Sequence, residues 1–284
     1  MSPAEIAARR QRFRELHQSR CFVIPNPWDI GSALYLRHLG FQALATTSSG
    51  FAFSRGLPDR AGAVTREMAL GHVAEIAAAV DLPVSADFES GYAPDAEGVA
   101  ESVRLCAAAG AAGLSIEDST EDRSRPLYEL PLAVERILAA REGLEGTGVV
   151  LTARAECFLR GHPDPLRESI RRLQAYAEAG ADVLYAPGLH DRAEIQTVVD
   201  AVSPKPVNVL ATPALGLGVN DLAALGVRRI SVGSGLARAA WTAFLRAARV
   251  ISETGSFAEL RDSVSGGALN EFFAGQATLR AKPS

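Results

Sequence analysis

Polar side chains recur at every second position of several short apolar segments, the spacing that places residues on one face of a β-strand. The positions concerned are Ser85, Asp87, Glu89, Ser115, Glu117, Thr152, Arg154, Glu156 and Asn208. The residues between them, such as Val84, Ala86 and Phe88, are apolar and must face a packed layer of helices. The polar set therefore faces the opposite way, and its carboxylates, arginine and amide are groups that hold cations and small acids.

Asp87, Glu89 and Glu117 are predicted to form a metal site. Carboxylates crowded together without a partner repel each other and take up protons, so a positive charge must lie among them. Arg154 supplies part of it, and a hard divalent cation would supply the rest. All-oxygen ligands select Mg²⁺, with Mn²⁺ as the alternative. A cluster balanced only by Arg154 and backbone amides remains the competing interpretation.

Eight short β-rich segments alternate with segments of helical period along the chain, which is typical of parallel βαβ units. This pattern predicts an α/β fold, a closed (β/α)8 barrel of the TIM type, with a doubly wound open sheet as the competitor. The polar residues then lie inside the barrel, at the C-terminal ends of its strands. The eight segments are CFVIPN, ALATTS, PVSADFE, AGLSIED, VVLTARAE, DVLYAP, PVNVLA and RRISVG.

The chain is expected to be one barrel domain over residues 1–284, with the barrel core at about 20–250. A helix at about 3–18 precedes the first strand, and a helical tail at about 256–284 exceeds what eight units need. The net charge of −4 argues against a nucleic-acid or anionic membrane surface. No apolar stretch approaches a signal or membrane-spanning length, so we expect a cytoplasmic protein.

Five motifs, taken in order, make the sequence resemble the isocitrate lyase/phosphoenolpyruvate mutase superfamily over about residues 20–250. The resemblance implies Mg²⁺ held around Asp87, with Glu89 and Glu117 in an outer shell and Asp87 also near the substrate. It further implies that the Ser49-Gly50-Phe51 turn and Arg154 hold the substrate carboxylate. The motifs are NPWDIGSA (26–33), TTSSGFAFSRGLPD (46–59), ADFESGY (86–92), SIED (115–118) and ARAECFLRG (153–161).

The resemblance has two further implications. Asp59 would lie on a mobile loop that closes over the site, and we count it with Arg154 and Glu156 as a catalytic candidate. The C-terminal helices would be exchanged between subunits of a homo-oligomer, a tetramer or a dimer, which would account for the surplus tail.

Other candidate residues each have two interpretations. Glu156 either orients Arg154 or touches the substrate, and Trp28 either lines the pocket or packs locally. Asp29 either contacts the substrate or caps the following helix. Ser48, like Ser49, either binds substrate or satisfies the backbone of a turn. Asn208 is assigned to the substrate site because its polar tip points inward from an apolar strand.

The segment after Asp118 departs from the superfamily. It reads STEDRSRPLYELP and lacks the K-x-C-G-H sequence of the isocitrate and methylisocitrate lyases, as well as the lysine and asparagine used on phosphonates. The chain has only two lysines, Lys205 and Lys282, and neither is placed for a Schiff base.

We therefore expect a Mg²⁺-dependent lyase. It would act on a small 2-oxo or 2-hydroxy carboxylate, oxaloacetate-like or malate-like, through a metal-bound enolate, with C–C cleavage or decarboxylation. The alternatives are P–C bond chemistry of the phosphonopyruvate hydrolase or phosphoenolpyruvate mutase kind, and a non-catalytic 2-oxo-acid binding protein.

Overall fold

A computed structural model describes residues 1–60, 62–120 and 122–281, with side chains given to residue 276. Each of the eight predicted segments contains a strand. The strands are β1 (Phe22–Ile24), β2 (Leu44–Ala45), β3 (Val84–Asp87), β4 (Gly113–Glu117), β5 (Val150–Arg154), β6 (Val183–Tyr185), β7 (Val207–Leu210) and β8 (Arg229–Ser231).

Helices follow the strands in the predicted alternation. They are α1 (Pro3–Ser19), α2 (Ile30–His38), α3 (Ser48–Ser54), α4 (Arg66–Ala79), α5 (Ala96–Ala108), α6 (Leu130–Gly143), α7 (Pro165–Glu178), α8 (Arg192–Val202), α9 (Val219–Ala224), α10 (Gly235–Thr254) and α11 (Gly266–Ala281).

The strands form one parallel sheet in the order β1-β8-β7-β6-β5-β4-β3-β2. Between β1 and β2 the circle is completed by a hydrogen bond from the Ala45 amide to the Pro25 carbonyl and by one from the Asn26 side chain to the Thr46 carbonyl. The expected (β/α)8 barrel is therefore confirmed, and the open doubly wound sheet is not.

The alternating apolar and polar side chains of the strands face opposite sides of the sheet, as predicted. Ala86, Leu114, Leu151 and Ala153 belong to the main hydrophobic cluster, with the apolar faces of the surrounding helices. Burying this outer layer supplies the main stabilisation of the barrel, at about 25 cal/mol for each Å² of apolar surface removed from water. The polar residues of the same strands are left facing the barrel axis.

Helix α1 closes the N-terminal end of the barrel. Ser2 caps the helix by accepting a hydrogen bond from the Glu5 amide, and Pro3 occupies the first helical turn, where its missing N–H costs nothing. Phe13 and Leu16 then pack with residues at the starts of the strands, including Phe22 and Val150. The helix thus forms a floor beneath the polar interior.

The chain divides into two compact units, residues 1–235 and 236–284. In the second unit, Ala237 and Gln276 are the buried residues among those whose side chains are described. Within the described ranges, no helix is both long and apolar enough to cross a membrane.

Candidate active site

A cavity of about 260 Å³ lies in the barrel at the C-terminal ends of the strands. Its wall is formed by residues of all eight strands or of the turns that follow them, most of them polar. Those that matter below are Ser48, Asp59, Asp87, Arg154, Asn208 and Arg229. Active sites of this fold lie at this end, because the loops that follow the strands converge there.

Arg154 is the central cation of the site. Its Nη1 donates to Asp87 Oδ1 at 2.7 Å, and its Nη2 lies 3.2 Å from Glu117 Oε2. Its Nε and Nη2 both donate to Glu156 Oε1, at 3.0 and 2.8 Å, and its guanidinium lies 5.1 Å from the centre of the Tyr185 ring. Burial alone would lower the pKa of Arg154, but the three carboxylates outweigh burial and raise it well above the ordinary value.

Asp87 is held from two sides. Its Oδ2 accepts hydrogen bonds from the Ser48 amide at 2.9 Å and the Ser48 hydroxyl at 2.8 Å, while Oδ1 faces Arg154. Its own amide donates to Thr46 Oγ1. The carboxylate is therefore fixed at the cavity wall. Its Oδ2 already accepts two hydrogen bonds, whereas Oδ1 accepts one and keeps a free lone pair.

Glu89 differs from the sequence expectation. The face shared by Ser85 and Asp87 was predicted to continue to Glu89, but β3 ends at Asp87, and Glu89 adopts a left-handed φ of 46° in the turn that follows. Tyr92 has a φ of 53° in the same turn and donates its hydroxyl to Glu89 Oε1 at 2.9 Å. This strain at two non-glycine residues turns Glu89 toward a second cavity, of about 740 Å³.

Negative charge remains in excess around this end of the barrel. Burial and the nearby carboxylates of Asp87, Glu117 and Asp59 raise the pKa of Glu89 to about 7, against the hydrogen bond from Tyr92. Asp59 lies at the exposed outer edge of the small cavity, where partial desolvation and the charges of Asp87 and Glu117 raise its pKa. Glu117 accepts from the Ser119 hydroxyl, and Arg160 lies 3.9 Å from it.

Glu156 is almost fully buried and serves Arg154. Its amide donates to Asp118 Oδ1 at 2.8 Å, and Asp118 Oδ2 accepts from Arg172 at 3.0 Å and from the Tyr176 hydroxyl at 2.6 Å. Burial raises the pKa of Glu156, while Arg154 opposes that effect. The contacts match the orienting role rather than direct contact with the cavity, whose wall does not include Glu156.

Four predicted substrate contacts lie outside the cavity wall. Asp29 caps α2 by accepting from the Ser32 amide at 2.7 Å, and the half-buried Trp28 donates its amide to Ser32 Oγ. Gly50 is buried in the first turn of α3, and Phe51 stacks on His72 with ring centres 4.1 Å apart. Ser48 and Ser49 do line the cavity, as does Asn208.

Several wall residues were not predicted from the sequence. Asn26 holds the closure of the barrel, accepting from the Val232 amide and donating to the Thr46 carbonyl. Tyr185, Arg229 and Ser231 come from β6 and β8, whose short segments show no clear alternation. The signal that would have identified Tyr185 and Arg229 is their register opposite Arg154 and Asn208 in the sheet, and Ser231 lies two residues after Arg229 on the same face.

The residues present fit a hard divalent cation through one direct ligand. Among the described residues, no three Asp, Glu, His or Cys side chains are arranged to coordinate one ion together. Asp87 is a carboxylate on the cavity wall that is fixed by hydrogen bonds and keeps a free lone pair on Oδ1, whereas Asp59 lies at the exposed edge. Glu89 lies close enough to Asp87 and Glu117 for their charges to raise its own pKa. Mg²⁺ commonly keeps several waters and takes one or two carboxylates, which suits this arrangement.

Comparisons with known proteins all indicate one family. The model of the phosphoenolpyruvate phosphomutase family matches residues 13–252. A Burkholderia cenocepacia J2315 protein, provisionally described as a lyase/mutase, has a solved structure that is 48% identical, with a TM-score of 0.91 over 95% of this chain and 98% of that one.

Two other similar proteins have names that denote different reactions. The 2-methylisocitrate lyase of Escherichia coli K12 is 32% identical over 177 residues, covering 60% of this chain and 58% of the relative. The structure of a phosphonopyruvate hydrolase in complex with oxalate and Mg²⁺ is 26% identical, with a TM-score of 0.84 over 96% of this chain and 97% of that one.

Proposed function

This chain belongs to the phosphoenolpyruvate mutase family, and from that premise we propose that it is a Mg²⁺-dependent carbon–carbon lyase. Its substrate would be a small 2-oxo or 2-hydroxy carboxylate of the oxaloacetate or malate kind, cleaved or decarboxylated beside the carbonyl group. The observation that carries the proposal is Arg154, which lies in the cavity wall and holds Asp87, Glu117 and Glu156 together.

Asp87 would hold the cation directly, through the free lone pair of Oδ1, and Glu89 and Glu117 would act through water. When bound there, Mg²⁺ would neutralise the excess carboxylate charge and stabilise negative charge that develops on the carbonyl oxygen of the substrate. The fit of the donors, all of them oxygen, supports Mg²⁺, and Mn²⁺ is the natural substitute.

Arg154 would bind the substrate carboxylate. A guanidinium has five N–H donors, and four of them meet Asp87, Glu117 and Glu156. One Nη1 hydrogen remains for a ligand. Because Glu156 and Asp118 fix the guanidinium from behind, the donor is oriented before the substrate arrives, which lowers the entropy cost of binding.

The loop that carries Asp59 would complete the site. Asp59 lies at the exposed edge of the cavity, close enough to Asp87 and Glu117 for their charges to raise its pKa. Movement of this loop over a bound substrate would exclude water from the developing negative charge.

The segment after β4 favours carbon–carbon over carbon–phosphorus chemistry. Phosphonate enzymes of the superfamily resemble one another in having a lysine and an asparagine there, whereas this chain has arginines. Arg125 is 84% exposed and pairs with Asp122 at 3.4 Å, and it does not line the cavity that holds Asp87. Among the described residues of this segment, neither arginine lines the cavity that holds Asp87, so neither is placed there for a phosphoryl group.

A substrate screen tests the proposal. Three- to six-carbon oxo and hydroxy acids, with phosphonopyruvate included, are incubated with the protein in Mg²⁺ or in EDTA, and pyruvate, CO₂ and phosphate are measured. We expect pyruvate or CO₂ only with Mg²⁺. Phosphate release from phosphonopyruvate would establish the carbon–phosphorus alternative, and Mg²⁺-dependent binding without turnover would establish a sensor.

We further propose that the protein assembles as a homo-oligomer through its C-terminal helices. In the unit 236–284, Phe244 is 59% exposed and Phe257 is 68% exposed, and Trp241 lies one helical turn from Phe244. Trp241 and Phe244 contact each other, and a contiguous patch of large exposed apolar side chains usually marks an interaction surface. Light scattering should give a dimer or tetramer for the wild type, and Phe244→Glu should shift it toward the monomer.

A further inference from the structure

Arg229 is a buried cation without a carboxylate partner. It begins β8, is 5% exposed and lines the lower part of the cavity. Its guanidinium donates to Asn208 Oδ1 at 2.9 Å and to Thr152 Oγ1 at 3.1 Å, and it lies 3.5 Å from His17 Nε2. All of these acceptors are neutral, and within the described part of the chain no Asp or Glu forms an ion pair with it.

Arg229 determines which way the Asn208 amide points. A guanidinium can only donate hydrogen bonds, so the atom of Asn208 that faces it must be the oxygen. The amide nitrogen then lies on the other side, where it donates to Ser231 Oγ at 3.0 Å. Since an amide nitrogen carries two hydrogens, one remains for a ligand in the cavity that Asn208 lines.

Helix α1 holds Arg229 from below. His17 Nδ1 lies 2.8 Å from the Phe13 carbonyl, which can only accept, so Nδ1 carries the hydrogen and Nε2 presents a lone pair to Arg229. Burial, followed by the charge of Arg229, lowers the pKa of His17 to about 3, so the ring is neutral. The rings of Phe13 and Phe22 pack edge-on against it and fix its orientation.

We propose that Arg229 is a positioning residue that locks the Asn208 amide with an N–H toward the ligand. The inference rests on the proposed function in one respect, because it takes the ligand to be an oxo acid. The oxygens of such a ligand only accept hydrogen bonds, so a reversed amide would set its own oxygen against them. The locked amide removes that repulsive alternative before binding.

Thr152 provides a matched control. It accepts from the same guanidinium, is completely buried and does not line the cavity. Thr152→Val therefore removes one contact of Arg229 and leaves the contact with Asn208. If Arg229 only filled space in the barrel, the loss of either contact would change ligand affinity by the same amount.

The affinity for oxalate in saturating Mg²⁺, measured by calorimetry, is the first test. We expect Arg229→Met to weaken binding about tenfold, the cost of one misdirected polar contact. Arg229→Lys, which still donates to Asn208, should stay within about threefold, and Thr152→Val should leave affinity unchanged. Unchanged affinity in Arg229→Met, or an equal loss in Thr152→Val, would overturn the inference.

A second test needs no ligand. Asn208→Asp gives Arg229 a carboxylate partner, so it should raise the melting temperature in the wild-type background and lower it in the Arg229→Met background, where the new charge is unpaired. Shifts of the same sign would contradict the orientation. If Arg229→Met does not fold, Asn208→Asp alone decides, since it must both raise the melting temperature and weaken oxalate binding.

The two tests separate the inference from the proposed function. Suppose that Asn208→Asp shifts the melting temperature in opposite directions in the two backgrounds, but that the wild type binds no 2-oxo acid. The proposed function would then be wrong, and the locked amide would stand. Mg²⁺-dependent oxalate binding that is indifferent to Arg229→Met would remove the inference and retain the proposed function.

Discussion

Two arginines in the barrel interior, the partly buried Arg154 and the buried Arg229, have opposite surroundings. At the rim, Arg154 meets three carboxylates, which raise its pKa well above the ordinary value. Near the floor, burial lowers the pKa of Arg229 to about 10, and its hydrogen-bond partners are neutral. The C-terminal end of the barrel, here called the rim, therefore has excess negative charge and suits a metal cation. Near α1, by contrast, the positive charge of Arg229 orients a neutral amide.

The difference shows that the role of an arginine inside a protein depends on the groups that surround it. An arginine among carboxylates fixes the positions of several negative groups at once, and a metal site needs ligands that are held in place in this way. An arginine among amides and hydroxyls acts through direction alone, because it can donate and never accept.

The largest effect is expected for Asp87→Asn, which removes the carboxylate that we propose as the direct ligand of the cation. Loss of the group that anchors charge stabilisation should lower turnover about 10²- to 10³-fold. Turnover of the substrate found in the screen is the measurement. Asp200→Asn, on the exposed side of α8, is the control, and a normal rate for Asp87→Asn would exclude the metal role.

The two arginines should also differ in stability. Arg154→Met leaves three carboxylates without their cation and should cost about 3–5 kcal/mol in the free energy of unfolding. Arg229→Met leaves only neutral acceptors unpaired and should cost about 1–3 kcal/mol. Urea unfolding of both variants checks the order. Mg²⁺ should restore part of the stability of Arg154→Met and none of that of Arg229→Met. A larger loss of stability in Arg229→Met than in Arg154→Met would contradict the different roles of the two arginines.

His72 extends the comparison to a group that can release its charge. Burial lowers its pKa to about 4, and its Nε2 has no hydrogen-bond partner among the described residues. The unfolded chain therefore binds a proton at a higher pH than the folded one, so the free energy of unfolding should fall as the pH drops from about 6.5 to about 4.

The contribution of His72 to this decline is about 1.4 kcal/mol per pH unit. In His72→Phe, which keeps the stacking on Phe51, the slope should become shallower by that amount. Urea unfolding at several pH values gives the slopes, and an unaltered slope in His72→Phe would assign the acid sensitivity elsewhere.

The smallest effect is expected at Asp29, away from both arginines. Because Asp29 caps α2, Asp29→Ala should lower the free energy of unfolding by about 1 kcal/mol. Asp29→Asn, which retains a capping oxygen, should restore most of it. Oxalate affinity in Mg²⁺ should change little, and a strong loss would return Asp29 to the substrate contacts.

Alternation along the sequence predicted the strands and the inward placement of Asp87, Arg154 and Asn208, because a period of two leaves little freedom once the outer face is apolar. The same rule failed at Glu89, where the chain leaves the strand through a left-handed turn. It was also silent on Arg229, since RRISVG places two arginines side by side and only the sheet register turns one inward.

Long-range contacts were the other limit. Asp118 stands in the SIED motif, but its partners Arg172 and Tyr176 lie more than fifty residues further along the chain. Nothing in the local pattern connects them. The role of Asp118 in fixing Glu156, and through it Arg154, follows only from the packed barrel.

The most direct test of the account is a crystal structure with Mn²⁺ and oxalate, using the anomalous signal of manganese. We predict one Mn²⁺ peak at ligand distance from an Asp87 carboxylate oxygen, about 2.2 Å, with oxalate between the ion and Arg154. A rim without the ion, or carboxylates of Asp87 and Glu117 that point away from the barrel axis, would contradict the account.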